Sequence, residues 1–176
     1  MDKEMLFSPA AIAARVKELG QTISADYQGR ELLLVGILNG AFIFAADLAR
    51  QITVPLKVDF VRAASYGQGS STSGRVRLSK DVELPLAGRH VLLVEDIVDS
   101  GLTLARLRDL FLAREVASLR VCALIDKQQR RLVEVPVDYP GFLVERGFLV
   151  GYGLDYAEQY RQYPAIYRVR EERLAK

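Results

Sequence analysis

Three carboxylates and two hydroxyls lie within nine residues near the middle of the chain. Glu95, Asp96 and Asp99 follow an apolar run, and Ser100 and Thr103 come directly after them. Carboxylates placed this closely are costly unless a cation or a hydroxyl-rich molecule engages them. The hydroxyls, with a glycine between them, open a predicted helix whose free N–H groups can hold an anion. We therefore expect a phosphorylated sugar and Mg²⁺ here, whereas an isolated Asp-Ser-Gly would only cap a helix.

A parallel sheet is the framework that positions such side chains. Apolar runs alternate with segments of helical spacing, which is typical of βαβ units. The predicted strands cover residues 32–37, 56–64, 90–94 and 119–125. The first predicted helix begins at Pro9, after an N-cap at Ser8, and stops at Gly29; two more cover 41–51 and 103–113. Because such strands are buried on both faces, the sequence predicts an α/β fold, an open, mainly parallel twisted sheet flanked by helices.

Less regular segments surround this framework. Residues 76–79 are predicted to pair locally, and short apolar runs at 142–144, 148–152 and 165–169 predict a small hood formed mainly by the C-terminal third. The chain has 176 residues, which is the length of one domain. We therefore expect residues 1–176 to form a single domain.

The composition excludes several classes of protein. Half of the residues are hydrophobic and the formal net charge is +2, which excludes a disordered chain and gives no strong field for nucleic acid or an anionic membrane. The single Cys122 and the single His90 exclude disulfide frameworks, zinc fingers and histidine triads, and we expect both residues to be structural. Without a signal-like start or an apolar stretch of about 18 residues, we expect a cytoplasmic protein with no nucleic-acid and no membrane partner.

The ends of the other predicted strands also carry residues suited to ligand binding. Ligands of open parallel sheets bind beyond the carboxyl ends of the strands. Those ends lead into Leu38-Asn39-Gly40, Ser65-Tyr66-Gly67 and Asp126-Lys127. Residues 67–75 are rich in glycine, serine and threonine, which predicts a mobile loop.

Several segments resemble a known family. VLLVEDIVDSGLTL (91–104) resembles the phosphoribosyl pyrophosphate motif of type I phosphoribosyltransferases. Four more segments resemble the hypoxanthine-guanine phosphoribosyltransferases in order and spacing: VGILNGAFIFAADL (35–48), VDFVRAASYG (58–67), ALIDK (123–127) and GFLVGYGLDYAEQYR (147–161). The resemblance covers nearly the whole chain and implies the type I phosphoribosyltransferase fold.

The resemblance implies roles for the acidic segment. Glu95 and Asp96 match the pair that holds the ribose hydroxyls and helps to place one Mg²⁺. Asp99 matches the residue beside purine N7, a general base or acid. The residues that match the 5′-phosphate loop are Ser100, Gly101, Leu102 and Thr103.

The resemblance also implies a purine site. Lys127 matches the donor to the purine 6-oxo group, Phe148 the aromatic ring that stacks on the base, and Leu149 the residue whose backbone reads the purine edge. Asp155 matches the ligand of a second Mg²⁺. Taken singly, Phe148 would be interpreted as core, Lys127 as solvated surface and Asp155 as a turn cap; the joint pattern favours the site.

The remaining matches concern pyrophosphate and closure. Arg161 and the turn Leu38-Asn39-Gly40 match the pyrophosphate contacts, and in related enzymes this turn contains a non-proline cis peptide. Many relatives have lysine where this chain has Asn39, which puts a side-chain contact there in doubt. Ser65 and Tyr66 begin the segment that the family uses as a closing lid.

The implied activity is purine salvage. The 5-phosphoribosyl group would pass from phosphoribosyl pyrophosphate to N9 of hypoxanthine or guanine, giving IMP or GMP and pyrophosphate, in a homodimer or homotetramer. Two alternatives stay open: transfer to another base, and an RNA-binding regulator on the same fold. Lys127 with Phe148 and Asp155 suits a 6-oxopurine, and a charge of only +2 argues against RNA.

Overall fold

Two sheets organise the part of the chain that the computed structural model describes, residues 2–64 and 77–170. The strands are β1 (Lys3–Phe7), β2 (Leu32–Ile37), β3 (Leu56–Ala64), β4 (Arg77–Lys80), β5 (His90–Val98), β6 (Ser118–Lys127), β7 (Tyr139–Val144), β8 (Phe148–Val150) and β9 (Ile166–Val169). The helices are α1 (Pro9–Asp26), α2 (Phe42–Ala49) and α3 (Leu102–Leu112). The larger sheet has the order β4-β3-β2-β5-β6-β7 and the smaller one β1-β9-β8.

The larger sheet is parallel from β3 to β7, and only β4 runs antiparallel to its neighbour. Its central strands are apolar on both faces, so that Leu34 and Leu92 pack on one side and Val35 and Leu93 on the other. Helices α1 and α2 cover the first face and α3 covers the second. This burial fixes the central strands, and their carboxyl ends form one edge of the sheet.

Local sequence accounts for the helix starts. Ser8 caps α1 by accepting from the Ala11 N–H at 3.2 Å, and Pro9 occupies the first helical turn. Helix α3 follows Gly101, whose φ of 81° is one that glycine adopts without strain. None of the described helices has the length and apolarity needed to cross a membrane.

The predicted fold class is confirmed, with three differences. Strand β1 was not predicted, and it pairs antiparallel with β9, so the hood includes the N-terminus. The run at 142–144, expected in the hood, belongs to β7 at the parallel edge of the larger sheet, because it pairs with β6. Strands β5 and β6 extend to Val98 and Lys127, so polar residues predicted to follow these strands lie inside them. Ser65, Tyr66 and the loop 67–75 lie outside the described residues.

Candidate active site

The ends of β2 and β5 and the start of α3 enclose a cavity of about 270 Å³. The residues predicted from sequence that line it are Leu38, Gly40, Glu95, Asp96, Asp99, Ser100, Gly101 and Thr103. Asn39 lies within the turn beside it, and Leu102 is the first residue of α3. Carboxylates and a helix N-terminus therefore face one space, as a sugar phosphate with a cation requires.

Close packing of backbone seals one wall of this cavity. A Cβ at Gly40 would overlap the Asp96 carboxylate, and a Cβ at Gly153 would overlap the Gly40 carbonyl. Gly153 has a φ of 100°, which glycine alone adopts readily. The Leu38–Asn39 peptide is cis. Glycine at positions 40 and 153 thus lets the turn 38–40 lie directly between Asp96 and the hood.

Glu95 and Asp96 are two adjacent carboxyl groups that are both shielded from water. Burial raises the pKa of the Glu95 carboxyl well above its usual range, and the neighbouring Asp96 carboxylate raises it further. Burial also raises the pKa of Asp96, although the Ile97 N–H, 2.8 Å from its Oδ1, and the charge of Arg161 oppose that rise. The pair therefore favours a shared proton or a bound cation over two bare charges.

The loop before α3 has the geometry of an anion cradle. The Ser100 carbonyl accepts from Leu132 N–H at 2.9 Å and from Val133 N–H at 3.2 Å, which anchors the loop from behind. The first intrahelical bond runs from Ala105 N–H to the Gly101 carbonyl at 2.9 Å. The N–H groups at the start of α3 precede that bond, and together with the helix dipole they favour an anion.

Asp99, which lines the cavity, forms a pair with Lys127 behind it. Lys127 Nζ lies 3.7 Å from Asp99 Oδ2, and the lysine side chain is only 8% exposed. Among the described residues, no partner donates to the buried Asp99 Oδ1. A buried ammonium and an unsatisfied carboxylate oxygen therefore stand side by side, which is the arrangement that a polar heterocycle could satisfy.

The hood contributes an aromatic ring and a free strand edge. The ring of Phe148 is half-buried and meets Tyr156 edge-on, with the centroids 5.6 Å apart. Leu149 is buried in the core. Strand β8 is at the edge of its sheet, so one side of its backbone has no strand partner among the described residues. A flat ligand could lie on Phe148 and bond with this edge.

Arg161 holds together the hood segment whose Gly153 packs against the Gly40 carbonyl. Its guanidinium pairs with Asp155 at 2.9 Å and donates to the Gly153 carbonyl at 2.7 Å. The charge of Arg161 also opposes the rise that burial causes in the pKa of Asp96. Asp155 is thus engaged by an arginine, and the described residues contain no cluster of three or more metal-ligating side chains.

Comparison with known proteins decides the family. The phosphoribosyl transferase domain matches residues 3–157. The chain belongs to the phosphoribosyltransferase family. It is similar to the hypoxanthine phosphoribosyltransferase of Salmonella typhimurium, at 47% identity over 94% of both chains.

Solved structures of phosphoribosyltransferases share its fold. A hypoxanthine-guanine phosphoribosyltransferase of Bacillus anthracis superposes with a TM-score of 0.91 at 42% identity, covering 97% of this chain and 100% of that one. A hypoxanthine phosphoribosyl transferase of Trypanosoma cruzi, described for the role of its C-terminal region in oligomeric state and activity, gives 0.89 at 38% identity, covering 95% and 91%. The enzyme class and the family predicted from sequence are therefore confirmed.

In this phosphoribosyltransferase the predicted residues fall into two groups. One lines the cavity at the sheet edge, with Lys127 behind it; the other, Phe148, Leu149, Asp155 and Arg161, lies in the hood. His90 bonds to Ser118 Oγ at 2.7 Å at the opposite end of β5, and Cys122 is buried in the core.

The sequence analysis missed Arg131. This arginine side chain is 7% exposed and contacts both Asp126 and the backbone of the site. It stands in the run Lys127-Gln128-Gln129-Arg130-Arg131, where nothing distinguishes it from the exposed Arg130. Only the path of the chain after β6 reveals the difference.

Proposed function

We propose that this phosphoribosyltransferase is a purine salvage enzyme that transfers the 5-phosphoribosyl group of phosphoribosyl pyrophosphate to N9 of hypoxanthine or guanine. The products are IMP or GMP and pyrophosphate. The observation that carries this proposal is the buried Lys127 ammonium, 3.7 Å from Asp99 and next to an anion cradle. A donor-only group beside a carboxylate matches the oxo and ring N–H groups of a 6-oxopurine.

The reaction exchanges one bond at C1 of the ribose for another. The bond from C1 to the pyrophosphate oxygen breaks, the bond from C1 to purine N9 forms, and the purine gives up a ring proton. The sugar passes through an oxocarbenium-like state, as in other glycosyl transfers. The protein must therefore stabilise positive charge at the ribose and negative charge on the leaving group.

Asp99 takes up and returns the ring proton of the purine. Its Oδ1 is buried and accepts no bond from the described residues, so it has an open position for a purine N–H. As the base in the forward direction, it takes the proton at N7, and it returns that proton in the reverse reaction. Lys127, which has donors and no acceptor, bonds to the 6-oxo oxygen and opposes a 6-amino group.

Phe148 and Leu149 complete the purine site from the hood. The exposed part of the Phe148 ring supplies a stacking surface, and the free edge of β8 offers backbone groups to the edge of the base. Stacking holds the purine over C1 without reading its identity. The choice of base then depends on Lys127 and on backbone groups near Leu149.

The ribose and its cation belong to Glu95 and Asp96. The donor set fits Mg²⁺, which takes one or two carboxylates and completes its shell with water and substrate oxygens. The raised pKa values fit it as well, since a divalent cation would stabilise both charged forms. Mg²⁺ bound there supplies charge neutralisation for pyrophosphate, and Asp155 would serve a second ion in competition with Arg161.

Pyrophosphate and the 5′-phosphate bind at opposite ends of the ribose. Ser100, Gly101, Leu102 and Thr103 hold the 5′-phosphate through backbone and hydroxyl groups at the start of α3. The turn Leu38-Asn39-Gly40 and Arg161 hold pyrophosphate. Among the described residues, the backbone hydrogen bonds of this turn come from the N–H groups of Leu38, Ala41 and Phe42, which leaves those of Asn39 and Gly40 to donate to pyrophosphate.

We further propose that the enzyme works in the cytoplasm as a homodimer or homotetramer. The Trypanosoma cruzi relative, whose C-terminal region has a role in its oligomeric state and enzymatic activity, supports this proposal. Sedimentation of the purified chain tests it. Neither RNA binding nor transfer to another base is supported by the relatives compared above.

The experiment is an initial-rate assay with phosphoribosyl pyrophosphate, Mg²⁺ and one base at a time. We expect hypoxanthine or guanine to give nucleoside monophosphate and pyrophosphate in equal amounts, and no product with orotate or uracil. The initial rate with xanthine completes the ranking of the three 6-oxopurines. Turnover of a pyrimidine at a rate comparable to hypoxanthine would contradict the proposal.

A further inference from the structure

Arg131 lies between the carboxyl ends of β5 and β6, beyond the last pair of their ladder. The pairing of β5 with β6 ends at Val98 and Asp126. Asp99 and Lys127 each lie one residue beyond that last pair. The β5–β6 ladder therefore does not itself fix these two side chains relative to each other, although Lys127 pairs with Val144 of β7.

The Arg131 guanidinium bridges these two ends. Its Nε donates to the Asp99 carbonyl at 3.2 Å, and its Nη2 donates to the Val98 carbonyl at 3.4 Å and to the Lys127 carbonyl at 3.3 Å. Nη2 also donates to the Asp126 carboxylate, and this ion pair neutralises the charge of the arginine. One planar group thus holds the main chain of both residues of the Lys127–Asp99 pair.

The segment that carries Arg131 also supports the phosphate loop. The two residues after it cap the Ser100 carbonyl, and a Cβ at Gly101 would lie 3.3 Å from the Arg131 Cδ. The arginine stem therefore packs beneath the loop while its head spans the strand ends. Both side chains of the ion pair with Asp126 are nearly buried, at 7% and 12% exposed.

We propose that Arg131 is a positioning residue that sets the separation of Lys127 and Asp99 and thereby the affinity and choice of the purine. The inference rests on the proposed function, because it assigns the purine to Lys127 and Asp99. Arg131 itself does not contact the substrate. Small displacements of such groups have large effects, since a shift of about 1 Å can cost about 10²-fold in rate.

The test uses a variant that removes the clamp without leaving a buried charge. Arg131→Met alone would strand the Asp126 carboxylate, so it is combined with Asp126→Asn. We expect the KM for hypoxanthine to rise by about tenfold or more and the preference for hypoxanthine over adenine to fall by a similar factor. The KM for phosphoribosyl pyrophosphate should stay within about threefold, because backbone groups still cap Ser100.

Matched variants separate the possible results. Arg130 is the preceding residue and is exposed, so the Arg130→Met variant should have the same KM values and base preference as the unmodified enzyme. Arg131→Lys keeps the charge opposite Asp126 but cannot span three carbonyls, so it should give an intermediate KM. If the double variant does not fold by circular dichroism, the KM of Arg131→Lys decides.

A purely structural role would lower the active fraction and the melting temperature and leave the hypoxanthine KM and the base preference unchanged, and that result would overturn the inference. The Lys127→Met variant distinguishes failure of this inference from failure of the proposed function. A higher hypoxanthine KM in Lys127→Met without one in the clamp variant refutes the role of Arg131 alone. An unchanged KM in Lys127→Met refutes the purine assignment, and with it the inference.

Discussion

The sheet edge and the hood hold their functional side chains by different means. At the sheet edge, Glu95, Asp96 and Lys127 lie inside paired strands. In the hood, Phe148 lies on a three-residue edge strand, and Asp155 and Arg161 follow on a turn-rich segment. The packed central strands hold these charged side chains close to one another. The hood holds its functional side chains by local ion pairs and by turns that contain glycine. We infer that proton transfer and recognition of the purine 6-oxo group belong to the sheet edge, whereas the hood stacks on the base and contributes Arg161 to pyrophosphate binding.

Asp99→Asn tests the sheet edge and has the largest expected effect. The amide cannot take the N7 proton, so kcat should fall by about 10²-fold or more, with nucleotide affinity nearly unchanged. Steady-state kinetics and nucleotide titration measure the two quantities. Asp109→Asn, on the exposed side of α3, is the control. A retained kcat would remove Asp99 from the mechanism.

Phe148→Ala tests the hood. Loss of stacking costs about 1–3 kcal/mol per base, so the KM for hypoxanthine should rise by about 5- to 150-fold. Because the ring does not touch the leaving group, the KM for phosphoribosyl pyrophosphate should change little. Phe142→Ala is the matched control, since Phe142 stacks on Phe7 with the centroids 4.0 Å apart and its loss should lower stability only. An equal rise in both KM values would erase the division between the two regions.

Asn39→Lys tests whether the turn between the regions binds through its backbone. We expect the pyrophosphate inhibition constant to change by less than about tenfold, or roughly 1.4 kcal/mol. Asn39→Pro removes one N–H donor and should weaken pyrophosphate more than the lysine variant strengthens it. A large gain from lysine with a mild effect of proline would show that a side-chain charge, and not the backbone, is what binds.

Glu95→Gln has the smallest expected effect, and it concerns stability. The pKa of Glu95 is raised in the folded state, so the folded protein keeps a proton that the unfolded chain has released. The free energy of unfolding therefore falls as the pH rises from the ordinary glutamate pKa through the raised one. Glutamine removes this loss, so the variant should gain stability relative to the native chain at about pH 8 compared with about pH 5.

Urea unfolding at the two pH values measures that gain. Glu145→Gln is the control, because Glu145 is exposed. A difference between Glu95→Gln and the native chain that does not change with pH would show that the carboxylate pair is not desolvated.

The sequence predicted the central framework well because each strand is apolar throughout and each crossover helix has a clear period. Strands β2 and β3 lie where they were predicted, at Leu32–Ile37 and Leu56–Ala64. Strand β1 escaped prediction because the segment Lys3–Phe7 is short and mixed, and it is a strand only through its pairing with β9. Strand β7 was assigned to the hood because periodicity does not say which sheet a short run joins.

Prediction of the site had the same limit. The acidic segment and the anion loop could be located because they are continuous in sequence. Arg131 could not, since its role depends on contacts with Val98 and Asp99, more than thirty residues earlier in the chain. The family resemblance supplied the roles of the hood residues, which their own sequence pattern does not distinguish from core and surface.

The comparison of kcat/KM for hypoxanthine and adenine, at saturating phosphoribosyl pyrophosphate and Mg²⁺, tests the central claim most directly. Lys127 offers only donors, so the 6-amino group of adenine would meet the buried ammonium donor against donor. The account predicts that adenine is disfavoured by about 10⁴-fold or more. Adenine turnover comparable to that of hypoxanthine would contradict the assignment of Lys127 and Asp99 to a 6-oxopurine.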